Sequence, residues 1–219
     1  MENNIKQNLT EAFIDVRRAY RLAAQLQSRL QELVFYIRSQ TQFANSDYAG
    51  YKLFSNPIYY KHHPSLNIQR SLCAWDFLYG YAFEYYFANP KIDSTECAMS
   101  VITICDDGFY ISKDPQKSAT EISSYAPENS SNSWIIFAYG GGKSDEIWMN
   151  EETKNAFLTK ILSRDNEFDI YHKNSHTFIW KKYPMQSFNN QAETDKLLRD
   201  FAELVKNKAN VCILNATKE

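Results

Sequence analysis

Residues 74–89 read AWDFLYGYAFEYYFAN. Every second residue from Trp75 is aromatic: Trp75, Phe77, Tyr79, Tyr81, Phe83, Tyr85 and Phe87. Between them stand Asp76, Leu78, Gly80, Ala82, Glu84 and Tyr86. Strict alternation is the two-residue period of a strand. A helix would instead line Asp76, Gly80 and Glu84 into a thin polar stripe. Against the helix, a mid-helix glycine costs about 1 kcal/mol, and Trp, Tyr and Phe suit a pleated surface. The stretch is therefore predicted as a strand. Gly80 marks a bend or bulge in it, and Asn89-Pro90 ends it. Its aromatic face is predicted to be the inner face of a sheet, because a soluble surface seldom carries so large an apolar patch.

Outward from this strand, the flanking pieces are mostly β. CAMSVITICDDGFYISK, 97–113, reads as a hairpin whose turn is Asp107-Gly108. APENSSNS, 126–133, is a polar loop, and SWIIFAY, 133–139, is a further strand. EIWM, 146–149, is predicted to pair back with it after Gly140-Gly141-Gly142. EFDIYHKNSHTFIWKKY, 167–183, reads as a second hairpin, and VCIL, 211–214, as a short apolar tail. Residues 43–72 hold turn signals and form a connecting segment, with one short strand near Ile58–Tyr60.

Three helices are predicted. The first runs over residues 8–42, capped by Asn8 with Glu11 in the capping-box position. Its apolar positions step by four and three: Leu9, Phe13, Val16, Tyr20, Ala23, Gln27, Leu30, Val34, Ile37. That is a heptad with one polar residue, Gln27, and Ala12, Ala19, Leu26 and Leu33 widen the stripe. Such a stripe serves either intramolecular packing, with Phe13, Tyr20 and Tyr36 over the aromatic strand, or self-association through residues 9–37. The second helix is capped by Asn150, with Phe157, Leu158, Ile161 and Leu162 on one face. The third is capped by Asn190 with Glu193 three later, and buries Leu197, Leu198, Phe201, Leu204 and Val205.

Strands come in runs rather than alternating with helices. The expected fold is therefore α+β: an antiparallel sheet of about five to seven strands, with a long N-terminal helix and two further helices packed mainly on one face. The chain is read as one domain, 1–219: the helix at 1–42, the connecting segment at 43–72, an aromatic-rich meander at 73–149 and a helix-hairpin-helix at 150–219.

Composition narrows the class. The chain has 219 residues, 44% hydrophobic and 15% aromatic, enough to bury a core without disulfides or metals. A formal net charge of −2 gives no strong basic field to attract nucleic acid. The four cysteines, Cys73, Cys97, Cys105 and Cys212, form no C-x-x-C pair and read as reduced thiols of a cytoplasmic protein. No apolar leader is evident in MENNIKQNLTEAF, and Asp76 and Glu84 interrupt the one stretch resembling a membrane span.

Chemistry-bearing residues are sparse. GGGKS, 140–144, has the end of a phosphate-binding loop, but the required earlier glycine is Phe137, so a hairpin loop is expected. No acid-x-lysine spacing of a restriction-type nuclease occurs, and Tyr171 occupies the place of its acid. His172 and His176 would face each other across a hairpin mouth if Lys173-Asn174-Ser175 were its loop, offering two metal ligands. Asp76, Glu84, Asp106 and Asp107 are the acids available to a dispersed metal-dependent phosphodiesterase or nuclease site, the one reading that calls for a divalent metal. Asp76, Gly80 and Glu84 otherwise form a solvated outer face opposite the aromatic ladder. Lys61, His62, His63, Arg70, Lys181 and Lys182 could form a nucleic-acid patch. With no catalytic spacing standing out, the expectation is a cofactor-free binding or regulatory protein that acts on a protein, peptide or small ligand.

Overall fold

A computed structural model describes residues 2–52, 82–88, 91–92, 95–108, 125–141, 167–173 and 176–216. The chain divides into two compact units, residues 1–37 and 38–219.

The first unit is helical. Helix α1 spans Glu2–Ser39, six residues longer at its start than the Asn8 cap implied. ENNIKQN contains no helix breaker, so nothing there halts the helix, and Asn8 is an interior residue. Along α1, Leu30, Val34 and Ile37 are buried, whereas nothing from Leu9 to Leu26 is.

The second unit is an antiparallel sheet with one described helix. Its strands are β1 (Asp47–Lys52), β2 (Ala82–Ala88), β3 (Lys91–Ile92), β4 (Thr95–Ile104), β5 (Trp134–Gly141), β6 (Phe168–Lys173) and β7 (His176–Pro184). The order is β1-β2-β4-β5-β7-β6, with β3 paired to β4. Helix α2, Gln191–Ala209, follows. The α+β class and antiparallel sheet are as expected. Two α-helices are found among the described residues; the one expected from the Asn150 cap lies outside them, as do EIWM, Ile58–Tyr60 and Trp75–Tyr81. Strand β1 falls in what read as a connecting segment.

Register shows which residues share a face. Phe83, Tyr85 and Phe87 pair with Thr103, Val101 and Met99, which pair in turn with Ile135, Phe137 and Tyr139. Ile179, Lys181 and Tyr183 of β7 complete that face. Helix α2 packs on it: the Phe201 ring lies 5.5 Å from that of Phe137, and Phe188 closes on Phe137 edge-on at 5.8 Å. The α2 cap is as predicted, with the Glu193 amide donating to the Asn190 side chain at 2.9 Å. Leu198, Phe201 and Val205 are buried, with Thr194 and Ala202; Leu197 and Leu204 flank them, half-buried.

The opposite face carries Glu84, Ser100, Ile102, Ile136, Ala138, Trp180 and Lys182, all buried. A sheet buried on both sides needs apolar residues at successive positions, which explains the unbroken runs AMSVITI and WIIFAY. It also corrects the expectation of a solvated outer face at Glu84, which is 7% exposed.

The start and end of the second unit are clasped together. Thr41 and Leu214 form an antiparallel bridge. The Gln42 amide donates to the Ile213 carbonyl at 2.9 Å and the Asn215 amide to the Gln40 carbonyl at 3.1 Å. Two side chains repeat the pattern, Gln42 Nε2 donating to Cys212 O and Asn215 Nδ2 to Ser39 O. Arg38 braces the same corner, donating to the Phe43 and Ser46 carbonyls, with its guanidinium 5.9 Å from the Phe87 ring centroid.

Candidate functional site

Among the described residues the acidic candidates do not converge. Asp76 lies outside the described residues. Glu84 sits on β2, where Ser100 Oγ donates to its Oε1 at 2.6 Å. Asp106 and Asp107 follow the end of β4. Asp106 accepts from the Gly108 amide at 2.8 Å, a local turn bond. Asp107 is buried, and both its oxygens hold the start of β5: Asn132 N donates at 2.7 Å and Trp134 Nε1 at 2.8 Å. The Asp107 amide donates to Asn132 O at 2.9 Å, so the pair is locked in both directions. Asp107 is therefore a structural anchor. The strand expected after Asp107-Gly108 lies outside the described residues. No group of three metal-ligating side chains occurs among the described residues.

The histidine pair is not built as expected. Hairpin β6–β7 pairs His172 with Thr177 and Lys173 with His176. Only Asn174 and Ser175 stand between the two strands, one residue fewer than the expected loop. That single-residue shift places positions 172 and 176 on successive rungs rather than directly opposite each other.

The two basic candidates among the described residues also separate. Lys61, His62, His63 and Arg70 lie outside the described residues. Lys181 and Lys182 are neighbours on β7 and so face opposite ways. Lys181 Nζ meets Asp200 Oδ2 of α2 at 2.7 Å and lies 5.5 Å from the Tyr183 ring centroid. Lys182 is buried, its ammonium 5.0 Å from the Trp134 ring centroid, a cation–π contact.

In the Gly-Gly-Gly-Lys-Ser stretch, Gly140 and Gly141 are strand residues paired with Phe178 and Thr177. The glycine at 141 has a packing reason: a Cβ there would lie 2.6 Å from the Tyr139 hydroxyl. That hydroxyl sits 3.2 Å from Cys97 Sγ in a buried pair. Burial, reinforced by the hydrogen bond with Cys97, pushes the Tyr139 phenol up.

What stands out on the described surface is α1. Leu9, Phe13, Val16 and Tyr20 are 53%, 58%, 46% and 74% exposed. They are the first four seam positions of the heptad. Leu26 is exposed beside them, and Leu22 is exposed on the opposite side of the helix. The seam read over 9–37 therefore divides. Its last apolar positions, Leu30, Val34 and Ile37, are buried, and its open part is residues 9–26. Charge along α1 is also uneven: Glu2, Glu11 and Asp15 with one lysine, Lys6, precede Arg17, Arg18, Arg21, Arg29 and Arg38 with one acid, Glu32.

Fold and surface together define an α+β chain with an antiparallel sheet and a long N-terminal helix that bears an open apolar stripe. The chain belongs to the PM0109 family, whose model matches residues 6–210. No curated protein and no solved structure matches it. No described helix is long and apolar enough to cross a membrane.

Proposed function

We propose that this is a soluble, cytoplasmic binding or regulatory protein, and that it works by docking a protein partner on the α1 stripe. The observation carrying this reading is the simultaneous exposure of Leu9, Phe13, Val16 and Tyr20 at heptad spacing. Side chains at i, i+4, i+7 and i+11 lie along one side of a helix and act as successive anchors in a partner's groove. Fully burying an exposed large apolar side chain contributes about 1.5–3 kcal/mol, and each of these part-exposed anchors supplies a share of that toward offsetting the entropy of association.

A photo-reactive amino acid placed at Val16 in the chain expressed in cells tests the reading. Irradiation is expected to give a covalent adduct with a polypeptide. The same residue placed at Arg18, on the other side of the helix, is expected to give little. Recovery of only free chain from the Val16 position would overturn the proposal.

A further inference from the structure

We propose that the open edge of β6 is closed by its own Asp169, whose carboxylate occupies the backbone amide on which a second copy of the strand would have to pair. This latch does not depend on the docking role proposed above.

The register of β6 shows which of its backbone groups are open. The Lys182 amide donates to the Glu167 carbonyl at 2.9 Å, so Glu167 and Lys182 form a hydrogen-bonded pair. In an antiparallel ladder such pairs recur at every second residue. Asp169, opposite Trp180, and Tyr171, opposite Phe178, therefore turn their amides and carbonyls toward β7. Phe168, Ile170 and His172 turn theirs away. Strand β6 is the last in the sheet order, so that side is an edge, with Ile170 at its middle.

An edge of this kind is a template for another strand. Two copies of β6 laid antiparallel about Ile170 would set each Ile170 against the other, with positions 168 and 172 opposed on either side. The central pair would exchange two hydrogen bonds, each Ile170 amide donating to the other's carbonyl. Phe168 adds an apolar incentive: it is 50% exposed, and among the described strand residues no other large apolar side chain is as open.

The edge is shut at that central point. The Ile170 amide donates to Asp169 Oδ1 at 2.8 Å. The amide is thereby engaged within its own chain, and a negative charge stands where an incoming carbonyl would have to come. Pairing would break two charge-assisted bonds, one per copy, to make two neutral ones of about half the strength. Charged side chains are a general guard against edge-to-edge association. Here the charge is fixed on the one amide about which the strand would pair with itself.

Hydrogen exchange of the full chain, read by NMR and joined to sedimentation velocity across the micromolar range, tests the latch. In the wild type the Ile170 amide is expected to be protected roughly tenfold beyond those of Phe168 and His172, which share its edge. Asp169→Ala is expected to bring it level with them, while the amides of β4 and β5 keep their protection and report an intact fold. The same variant is expected to self-associate roughly tenfold more tightly than the wild type. Asp169→Asn removes the charge but keeps an acceptor oxygen, and is expected to lie closer to the wild type than to Asp169→Ala in both measurements. An Ile170 amide that exchanges as fast as its two edge neighbours in the wild type would overturn the proposal without any variant. So would a folded Asp169→Ala chain that associates no more than the wild type. An Asp169→Asn chain that associates as strongly as Asp169→Ala would also overturn it, because charge alone would then be guarding the edge.

Discussion

Asp107 and Trp134 are joined by a 2.8 Å hydrogen bond from the indole Nε1 to carboxylate Oδ2, tying the segment after β4 to the first residue of β5. The other carboxylate oxygen holds the Asn132 amide. The Lys182 ammonium lies 5.0 Å from the centroid of the same ring. One carboxylate thus orders a chain of contacts that reaches β7.

Removing that carboxylate leaves two donors without their acceptor. Asp107→Ala is expected to cost about 2–4 kcal/mol, measured by urea denaturation with the Trp fluorescence followed separately. Asp107→Asn keeps one acceptor oxygen and is expected to cost less. A change within about 0.5 kcal/mol for Asp107→Ala would show that the anchor is dispensable.

Ser100 holds the buried Glu84 carboxylate from the neighbouring strand. Ser100→Ala removes a donor from an acid that water does not reach. Its expected cost is about 1–3 kcal/mol, larger than the same substitution at the exposed Ser130. Glu84→Gln keeps the size and the acceptor while removing the charge, and is expected to soften the penalty of Ser100→Ala. Chemical denaturation of the two single variants and the double variant reads this coupling. Additive costs would mean that the pair is not the relevant contact.

Partial burial would raise the Asp200 carboxyl, but hydrogen bonds from Lys181 and Tyr183, together with the Lys181 charge, outweigh it and hold the carboxyl below its ordinary range. A carboxyl depressed in the folded state adds stability above its unfolded pKa of about 4. That stability is lost as pH falls through the lower folded value. Asp200→Asn is therefore expected to be less stable than wild type at neutral pH by about 0.5–1 kcal/mol, the modest figure reflecting a half-exposed side chain. The gap should close on acidification. Melting temperatures of both proteins from neutral to acid pH check it, and a gap that widens toward acid would contradict the assignment.

Thiol reactivity should sort by environment. Burial, aided by the nearby Asp106 charge, pushes the Cys105 thiol up to about 11, so roughly a thousandth of it is thiolate at pH 8. Cys97 is wholly buried beside Tyr139, and Cys212 is exposed. Alkylation of the native chain with peptide mapping is expected to modify Cys212 well before Cys97 or Cys105. Equal rates at Cys105 and Cys212 would refute the ordering.

Elements with strong local signals were legible in the sequence. The Asn190–Glu193 cap, the apolar run before Gly140 and the alternation through Phe83, Tyr85 and Phe87 each predict their element. Strand β1 was not legible, because four of the six residues of DYAGYK (Asp47, Ala49, Gly50 and Lys52) are poor strand formers. It is a strand through its pairing with β2, a long-range fact that composition does not carry. Glu84 and Lys182 were misplaced for a related reason. Alternation shows that two faces differ, and charge suggests the outer one; here both faces are buried, and the charged groups are held by Ser100 and the Trp134 ring. The histidine pair failed on one residue of turn length, to which a two-residue period is unforgiving. On α1 the heptad was legible, but the sequence repeats it evenly from Leu9 to Ile37. Only the structure separates the buried end from the open one.

The clasp joining Ser39–Gln42 to Cys212–Asn215 has a mechanical meaning. Its two segments run antiparallel, and the chain enters and leaves at the same end of their short ladder. Tension entering at Ser39 and leaving at Ala216 therefore reaches the Asn215 bonds first and the Gln42 bonds next, opening them in sequence like a zip. While any of them holds, the load passes straight from one segment to the other. Strand β1 begins only five residues beyond Gln42, so the sheet is loaded once those bonds have parted. The clasp is a fuse: under stretch it yields first, and the sheet it closes comes under tension only afterwards.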